Sequence, residues 1–223
     1  MTGYFVTATG TDIGKTFVTA GLIRALKAQG RMVDALKPVI SGFDSNDVAA
    51  SDTSALLTAL DQTPSAENID RISPWRFQSP LSPDMAARRE SRAIDLDQLV
   101  AFCRDRAATA ADMLLIEGVG GIMVPLDDTH TVLDWMAALG LPVLLVTGSY
   151  LGTLSHTLTA LDVLQRRQLR VRAVVISEST GSTVALDETA ETIRRFAAGI
   201  DLVTLPRDAA RHGQVFSAMA KRL

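Results

Sequence analysis

Six short apolar runs with helical patterns between them set the strongest limit on how this chain can fold. The runs are Tyr4–Ala8, Val33–Val39, Met113–Glu117, Pro142–Thr147, Arg172–Ser177 and Asp201–Pro206. Helical patterns fall near 15–29, 52–60, 95–109, 131–139, 152–167 and 187–198. Leu154, Leu158, Leu161 and Leu164 recur at helical spacing and read as one core-facing stripe. Strands that are apolar along nearly their whole length pair in parallel sheets covered on both faces. The alternation therefore predicts one doubly wound α/β domain over residues 1–223, mainly parallel, with helices on both sides. The stretch from Pro74 through Pro80 and Pro83 to Arg88 reads as the longest irregular region, a surface excursion.

Composition narrows the function classes. Hydrophobic residues make up 47% of the 223, enough for a sizeable core. A net charge of −3 gives no basic excess for a phosphate backbone, so no nucleic-acid partner is expected. The pairs Arg88-Arg89, Arg166-Arg167 and Arg194-Arg195 lie among acids and read as solvated helix faces. Cys103 is the single cysteine, which excludes an internal disulfide and a cysteine zinc cage. Its helical company of Leu99, Val100 and Phe102 predicts a buried, inert thiol. With no signal-type N-terminus and no long apolar run, a soluble cytoplasmic protein without membrane contact is expected.

In doubly wound sheets the ligand sits beyond the carboxyl ends of the strands. Polar and glycine-rich residues collect at those places. Thr11–Thr16 follow the first run, Lys37 and Ser41 the second, Glu117 ends the third, and Gly148–Gly152 follow the fourth. "TGTDIGKT" (Thr9–Thr16) ends as a phosphate-binding loop does, although Thr9 stands where the usual pattern has glycine. Small residues at Ala8, Gly10 and Gly14 admit a close phosphate, and the helix that follows offers unpaired N–H groups. Lys15 places charge on β- and γ-phosphates, and Thr16 offers a hydroxyl to Mg²⁺. The plainer alternative is a strand-to-helix turn with a surface lysine.

Magnesium takes few protein ligands, mostly carboxylates and hydroxyls. Glu117 ends an apolar strand and leads into "EGVGG", where Gly118, Gly120 and Gly121 suit a close backbone approach. Asp52 opens a helix pattern and reads either as a metal ligand or as a plain N-cap. Lys37, held by Pro38 at a strand mouth, is costly to bury unless an anion meets it, and surface exposure is the alternative.

"GTDIGKT", "KPVISG" (Lys37–Gly42), Ser51-Asp52, Ser82-Pro83, "EGVGG" and "LGTLSHT" (Leu151–Thr157) together resemble the dethiobiotin synthetases, in that family's order and spacing. The resemblance runs from Tyr4 to about Asp208. It implies a P-loop NTPase fold in which Ala8 takes the small-residue role that Thr9 leaves open. It also implies an ATP- and Mg²⁺-dependent closure of 7,8-diaminononanoate and CO₂ into dethiobiotin, through a carbamate and a carbamic-phosphoric anhydride. Nucleotide contacts are then expected from Asp12, Ile13, Gly14, Lys15, Thr16 and Phe17, from Asp52, Glu117, Gly118, Val119 and Gly120, and from Ser177, Pro206, Arg207 and Asp208. Lys37, Lys15, Thr11 and Ser41 carry the chemistry, and Thr16, Asp52 and Glu117 hold Mg²⁺. Thr11, Lys37 and Ser41, with Tyr150, Leu151 and Gly152, bind the substrate. The Tyr150–His156 segment is expected to take the substrate's carboxylate across the interface of a homodimer.

Departures from that family's pattern also stand out. Ser177-Glu178 replaces an asparagine-acid pair, which weakens the expected reading of the base. Tyr150 and Ser155 stand where lysine and asparagine are common. His130, His156 and His212 show no metal spacing, although His156 falls on the candidate carboxylate-binding helix. The chief rival reading is a cargo-positioning switch ATPase, which shares the fold but carries an extra loop lysine where this chain has Thr9-Gly10-Thr11. A glutamine-dependent amide ligase would need a nucleophile, and Cys103 lies mid-helix without one's surroundings.

Overall fold

The computed structural model of the chain describes residues 2–110 and 112–223. Six parallel strands form the central sheet: β1 (Thr2–Ala8), β2 (Val33–Leu36), β5 (Met113–Glu117), β6 (Val143–Gly148), β7 (Val171–Ser177) and β8 (Asp201–Leu205). Their spatial order is β2-β5-β1-β6-β7-β8. Thr2 of β1 is in register with Met113 of β5, and Phe5 with Val143 of β6. Every residue of β5 and β6 is buried, which is why both run apolar without alternation up to Glu117 and Thr147 near their carboxyl ends. The expected doubly wound architecture is present.

The helices are α1 (Lys15–Ala28), α2 (Asp52–Ala59), α3 (Ala66–Ile72), α4 (Pro83–Arg89), α5 (Leu96–Thr109), α6 (Val132–Leu139), α7 (Thr153–Arg166), α8 (Leu186–Phe196) and α9 (Ala209–Ala220). A short 3₁₀ turn, Val48–Ala50, precedes α2. On α7 the buried stripe is Thr153, Thr157, Ala160, Leu161 and Leu164; Leu154 and Leu158 lie at its partly buried edge. Among the described residues, no helix is long and apolar enough to cross a membrane.

Two expectations fail here. The run Val33–Val39 is not one strand. It breaks at Lys37-Pro38, and β3 (Val39–Ser41) pairs in parallel with β4 (Trp75–Phe77) in a second, two-stranded sheet. Pro38 has no N–H for a ladder, and the Lys37 N–H is taken by the Ile72 carbonyl at 3.0 Å, so β2 cannot continue. The stretch Pro74–Arg88 is likewise not irregular, since β4 and α4 occupy most of it. The fold thus carries a small sheet and two short helices, α3 and α4, beside the strand ends where the site lies.

Helix α9, which the sequence left unassigned, packs on α1 at a glycine. A Cβ on Gly21 would fall 2.3 Å from the Phe216 ring, itself edge-on to Phe17 at 5.8 Å between centroids. Gly21→Ala is expected to lose stability. Overpacking by one methyl costs about 1–3 kcal/mol, against about 1 kcal/mol gained in helix propensity. A lower urea midpoint checks this; a raised one would mean that Phe216 swings aside freely.

Candidate active site

The chain leaves β1 at Ala8 and reaches α1 through a tight loop. Asp12 (φ 57°) and Gly14 (φ 98°) both take the left-handed conformation there. At Gly14 glycine is required twice over, because a Cβ would be strained and would meet Ser177 Oγ at 3.2 Å. Gly14 opens α1 without a side-chain cap, leaving the helix's first N–H groups for a ligand. Lys15 is buried, and its Nζ donates to the Gly10 carbonyl at 3.2 Å. Burial, reinforced by Lys37, pulls its ammonium down to about 8. A polyanion arriving at the loop would offset both effects.

Behind the loop, three chain segments converge on one ammonium. Lys37 Nζ lies 2.8 Å from Glu117 Oε1, 3.1 Å from Asp52 Oδ2 and 2.8 Å from the Gly118 carbonyl oxygen. The Thr16 hydroxyl donates to the same Glu117 oxygen at 2.7 Å. Lys37 is 2% exposed and Glu117 is fully buried, so each makes the other's burial tolerable. Burial disfavours the Lys37 ammonium, but Glu117 and Asp52 outweigh it and hold the lysine above its usual range. Burial likewise opposes ionisation of Asp52, and Lys37 holds its carboxyl below the usual range. Two readings of the sequence are settled by this geometry. Lys37 is not a surface lysine. Asp52 is not the N-cap of α2, since Ser51 accepts from the Ser54 N–H at 3.1 Å.

Thr11, Asp12, Gly14, Lys15, Thr16, Lys37, Ser41, Asp52, Val119 and Gly120 line a single cavity of about 800 Å³. Its far wall is Pro80–Pro83, the turn from β4 into α4, together with Ile40 and Val124. Sequence reasoning missed this wall; the Ser82-Pro83 pair, with proline at the first helical turn, was the signal available. Ser41 Oγ is buried without a hydrogen-bond partner, and so is Glu117 Oε2. A buried polar atom left in this way on a cavity wall, as Ser41 Oγ is, waits for a ligand. The oxygen set of Thr16, Asp52 and Glu117 suits Mg²⁺, a hard cation that takes few protein ligands beside phosphate and water. Among the described residues, no group of three or more His, Cys, Asp and Glu could hold a metal, so the third protein donor would be the hydroxyl.

The remaining expected residues, Glu117 among them, lie outside that cavity's lining. Ile13 is half-buried and Phe17 exposed on the loop and α1. Gly118 lies buried beneath the cavity, against Phe5. Ser177 abuts Gly14 at the end of β7. Beside it, Glu178 accepts from the Arg207 N–H at 2.7 Å, and His212 Nε2 donates to the Pro206 carbonyl at 2.7 Å. These contacts brace the exposed Arg207-Asp208 turn, and neither Glu178 nor His212 was singled out for this from sequence. Tyr150, Leu151 and Gly152 form the turn into α7, with the Tyr150 hydroxyl 2.8 Å from His156 Nδ1 and Leu151 86% exposed. His130 pairs with Asp127, 2.8 Å away, in a surface turn. Cys103 is fully buried, and burial pushes its thiol up to about 12, which makes it inert.

A parallel sheet, a Gly-Lys-Thr loop capping a helix and an acid ending the neighbouring strand define a P-loop nucleotide-binding protein. Residues 2–209 match the family model described as AAA domain. Among solved structures, a chain of the MinC:MinD cell division protein complex of Aquifex aeolicus superposes with a TM-score of 0.61 at 10% identity, over 100% of this chain and 95% of that one. The cell division ATPase MinD of Pyrococcus furiosus gives 0.58 at 19% identity, over 100% and 98%. Such identities establish the fold alone. Sequence relatives go further. The ATP-dependent dethiobiotin synthetase BioD of Caulobacter sp. (strain K31) is 53% identical over 93% of this chain and 89% of its own length, and that of Acidiphilium cryptum is 50% identical over 87% and 88%. The chain belongs to the ATP-dependent dethiobiotin synthetase family.

Proposed function

We propose that this protein forms dethiobiotin from 7,8-diaminononanoate, CO₂ and ATP with Mg²⁺, as a homodimer, with the residues of the cavity in the following roles. The observation that carries the reading is the convergence of Lys15, Lys37, Thr16, Asp52 and Ser41 around one cavity, with Glu117 buried behind Lys37 and Thr16, in a chain half identical to dethiobiotin synthetases. One amine of the substrate attacks CO₂ and loses a proton, giving a carbamate. A carbamate oxygen then takes the γ-phosphoryl group as its bond to the bridging oxygen of ADP breaks. The second amine attacks the carbonyl carbon of the mixed anhydride, and phosphate departs with the ring closed.

The difficulty is to bring a carbamate against a triphosphate, anion against anion. Lys15 swings from the Gly10 carbonyl to the β- and γ-phosphates. Lys37 answers the charge of the carbamate and of the group in transfer. Thr11 and the unpartnered Ser41 hydroxyl hydrogen-bond the carbamate, and Asp12 orients an amine. Thr16, Asp52 and Glu117 would hold Mg²⁺, which would supply positive charge against the phosphates. No protein nucleophile is needed, because positioning and electrostatics carry phosphoryl transfer. Ser177 and the braced Pro206–Asp208 turn face the base, and a lone hydroxyl there discriminates bases loosely. The N–H groups opening α7, with Tyr150, Leu151 and Gly152, take the substrate carboxylate, and the exposed Leu151 extends this turn towards a second copy.

The switch-ATPase alternative shares only the fold. The direct test mixes purified protein with diaminononanoate, bicarbonate, Mg²⁺ and ATP, reads dethiobiotin by mass, and omits each component in turn. Product that disappears with every omission is the expected result. ATP hydrolysis without product would overturn the reading.

A further inference from the structure

From the phosphate loop to α7 runs a line of threonine hydroxyls, buried except at Thr9, that the chemistry above does not use. Thr147, fully buried near the end of β6, lies 3.2 Å from Thr9 Oγ1, 3.0 Å from Thr153 Oγ1 and 2.7 Å from Thr157 Oγ1. Thr153 donates its own proton to the Gly148 carbonyl at 2.8 Å. That assignment fixes the rest. A hydroxyl has one proton and two acceptor positions, so Thr147 donates to Thr153 and accepts from Thr9 and Thr157, and its capacity is filled. Thr9 is the loop residue that departs from the usual glycine. Thr153 and Thr157 stand one turn apart on the buried face of α7, whose N-terminus at Gly152 (φ 99°) has no side-chain cap. A backbone bond from Thr9 N–H to the Val146 carbonyl at 3.0 Å seats the loop on the same strand.

We propose that Thr147 is a positioning residue that fixes the first turn of α7 relative to the phosphate loop. The inference rests on the reading that this turn takes the substrate carboxylate. In the homodimer proposed above, the hub ties each subunit's phosphate loop to the turn it lends its partner, and so fixes how that turn is presented across the interface to the substrate's far end. Valine is nearly isosteric but leaves the Thr9 and Thr157 hydroxyls without their shared partner. A displacement of about 1 Å at such a distance can cost about 100-fold in rate.

The test compares diaminononanoate with its terminal amide in wild type, Thr147→Val and Thr147→Ser. Wild type is expected to prefer the acid in kcat/KM. Thr147→Val is expected to reduce that preference by about tenfold or more, with Mg·ATP affinity unchanged, and Thr147→Ser to restore it. A Thr147→Val enzyme that keeps the full acid preference overturns the proposal. A wild type indifferent to the amide overturns instead the carboxylate reading on which it rests. Should Thr147→Val fail to fold, Thr157→Val removes the shortest arm of the hub alone and is held to the same expectation.

Discussion

Replacing Lys37 by alanine is expected to abolish dethiobiotin formation while leaving nucleotide affinity near the wild-type value. In the proposed mechanism Lys37 answers charge that appears only as carbamate and γ-phosphoryl meet, and removing one such preorganised group costs about 100- to 1,000-fold in turnover. The substitution also has a structural cost. Glu117, fully buried, keeps only Thr16 and loses its counter-ion at 2.8 Å, and breaking a buried pair from one side costs about 3–5 kcal/mol. The free variant should therefore melt well below wild type. With nucleotide affinity unchanged, Mg·ADP should stabilise Lys37→Ala by about as much as it stabilises wild type. Nucleotide binding measured beside product formation separates the roles: equal loss of both assigns Lys37 to ATP and removes it from the carbamate.

Glu117→Gln is expected to raise the Mg²⁺ concentration needed for half-maximal product by at least tenfold. Loss of even an outer partner of a metal ligand costs about 10- to 100-fold in affinity, and here a ligand itself loses its charge. The amide keeps the shape of Glu117 and an oxygen for the Thr16 hydroxyl and Lys37, so the fold should survive. An unchanged magnesium titration would take Glu117 out of the metal shell and leave it as the lysine's counter-ion alone.

The legibility of the fold varied with how local each cause was. β5 spans Met113–Glu117 at both ends as expected, because four consecutive apolar residues closed by an acid before a glycine-rich turn read as a short buried strand. Helix α1 starts where Gly14 turns left-handed, again a local cause. Val33–Val39 deceived because an apolar run looks the same whichever sheet receives it; the Ile72 carbonyl on the Lys37 N–H and the pairing of Val39 with Trp75 decided the break. Helix α9 escaped notice because what holds it is Gly21 on α1, nearly 200 residues away. In the site, the Gly-Lys-Thr loop could be read directly, whereas the choice between metal ligand and cap for Asp52, or buried and surface for Lys37, could not.

The sequence by itself determined the alternation of strand and helix, the phosphate loop and its lysine, and the acid closing β5. These depend on backbone conformation and spacing within a dozen residues. The tertiary structure alone decided that Lys37, Asp52 and Glu117 share one ammonium, that Pro80–Pro83 wall the cavity, and that Thr147 gathers Thr9, Thr153 and Thr157. The physical reason is that a buried charge or hydroxyl must find its partners wherever the fold brings them. Lys37 and Glu117 stand 80 residues apart in the chain and 2.8 Å apart in the core.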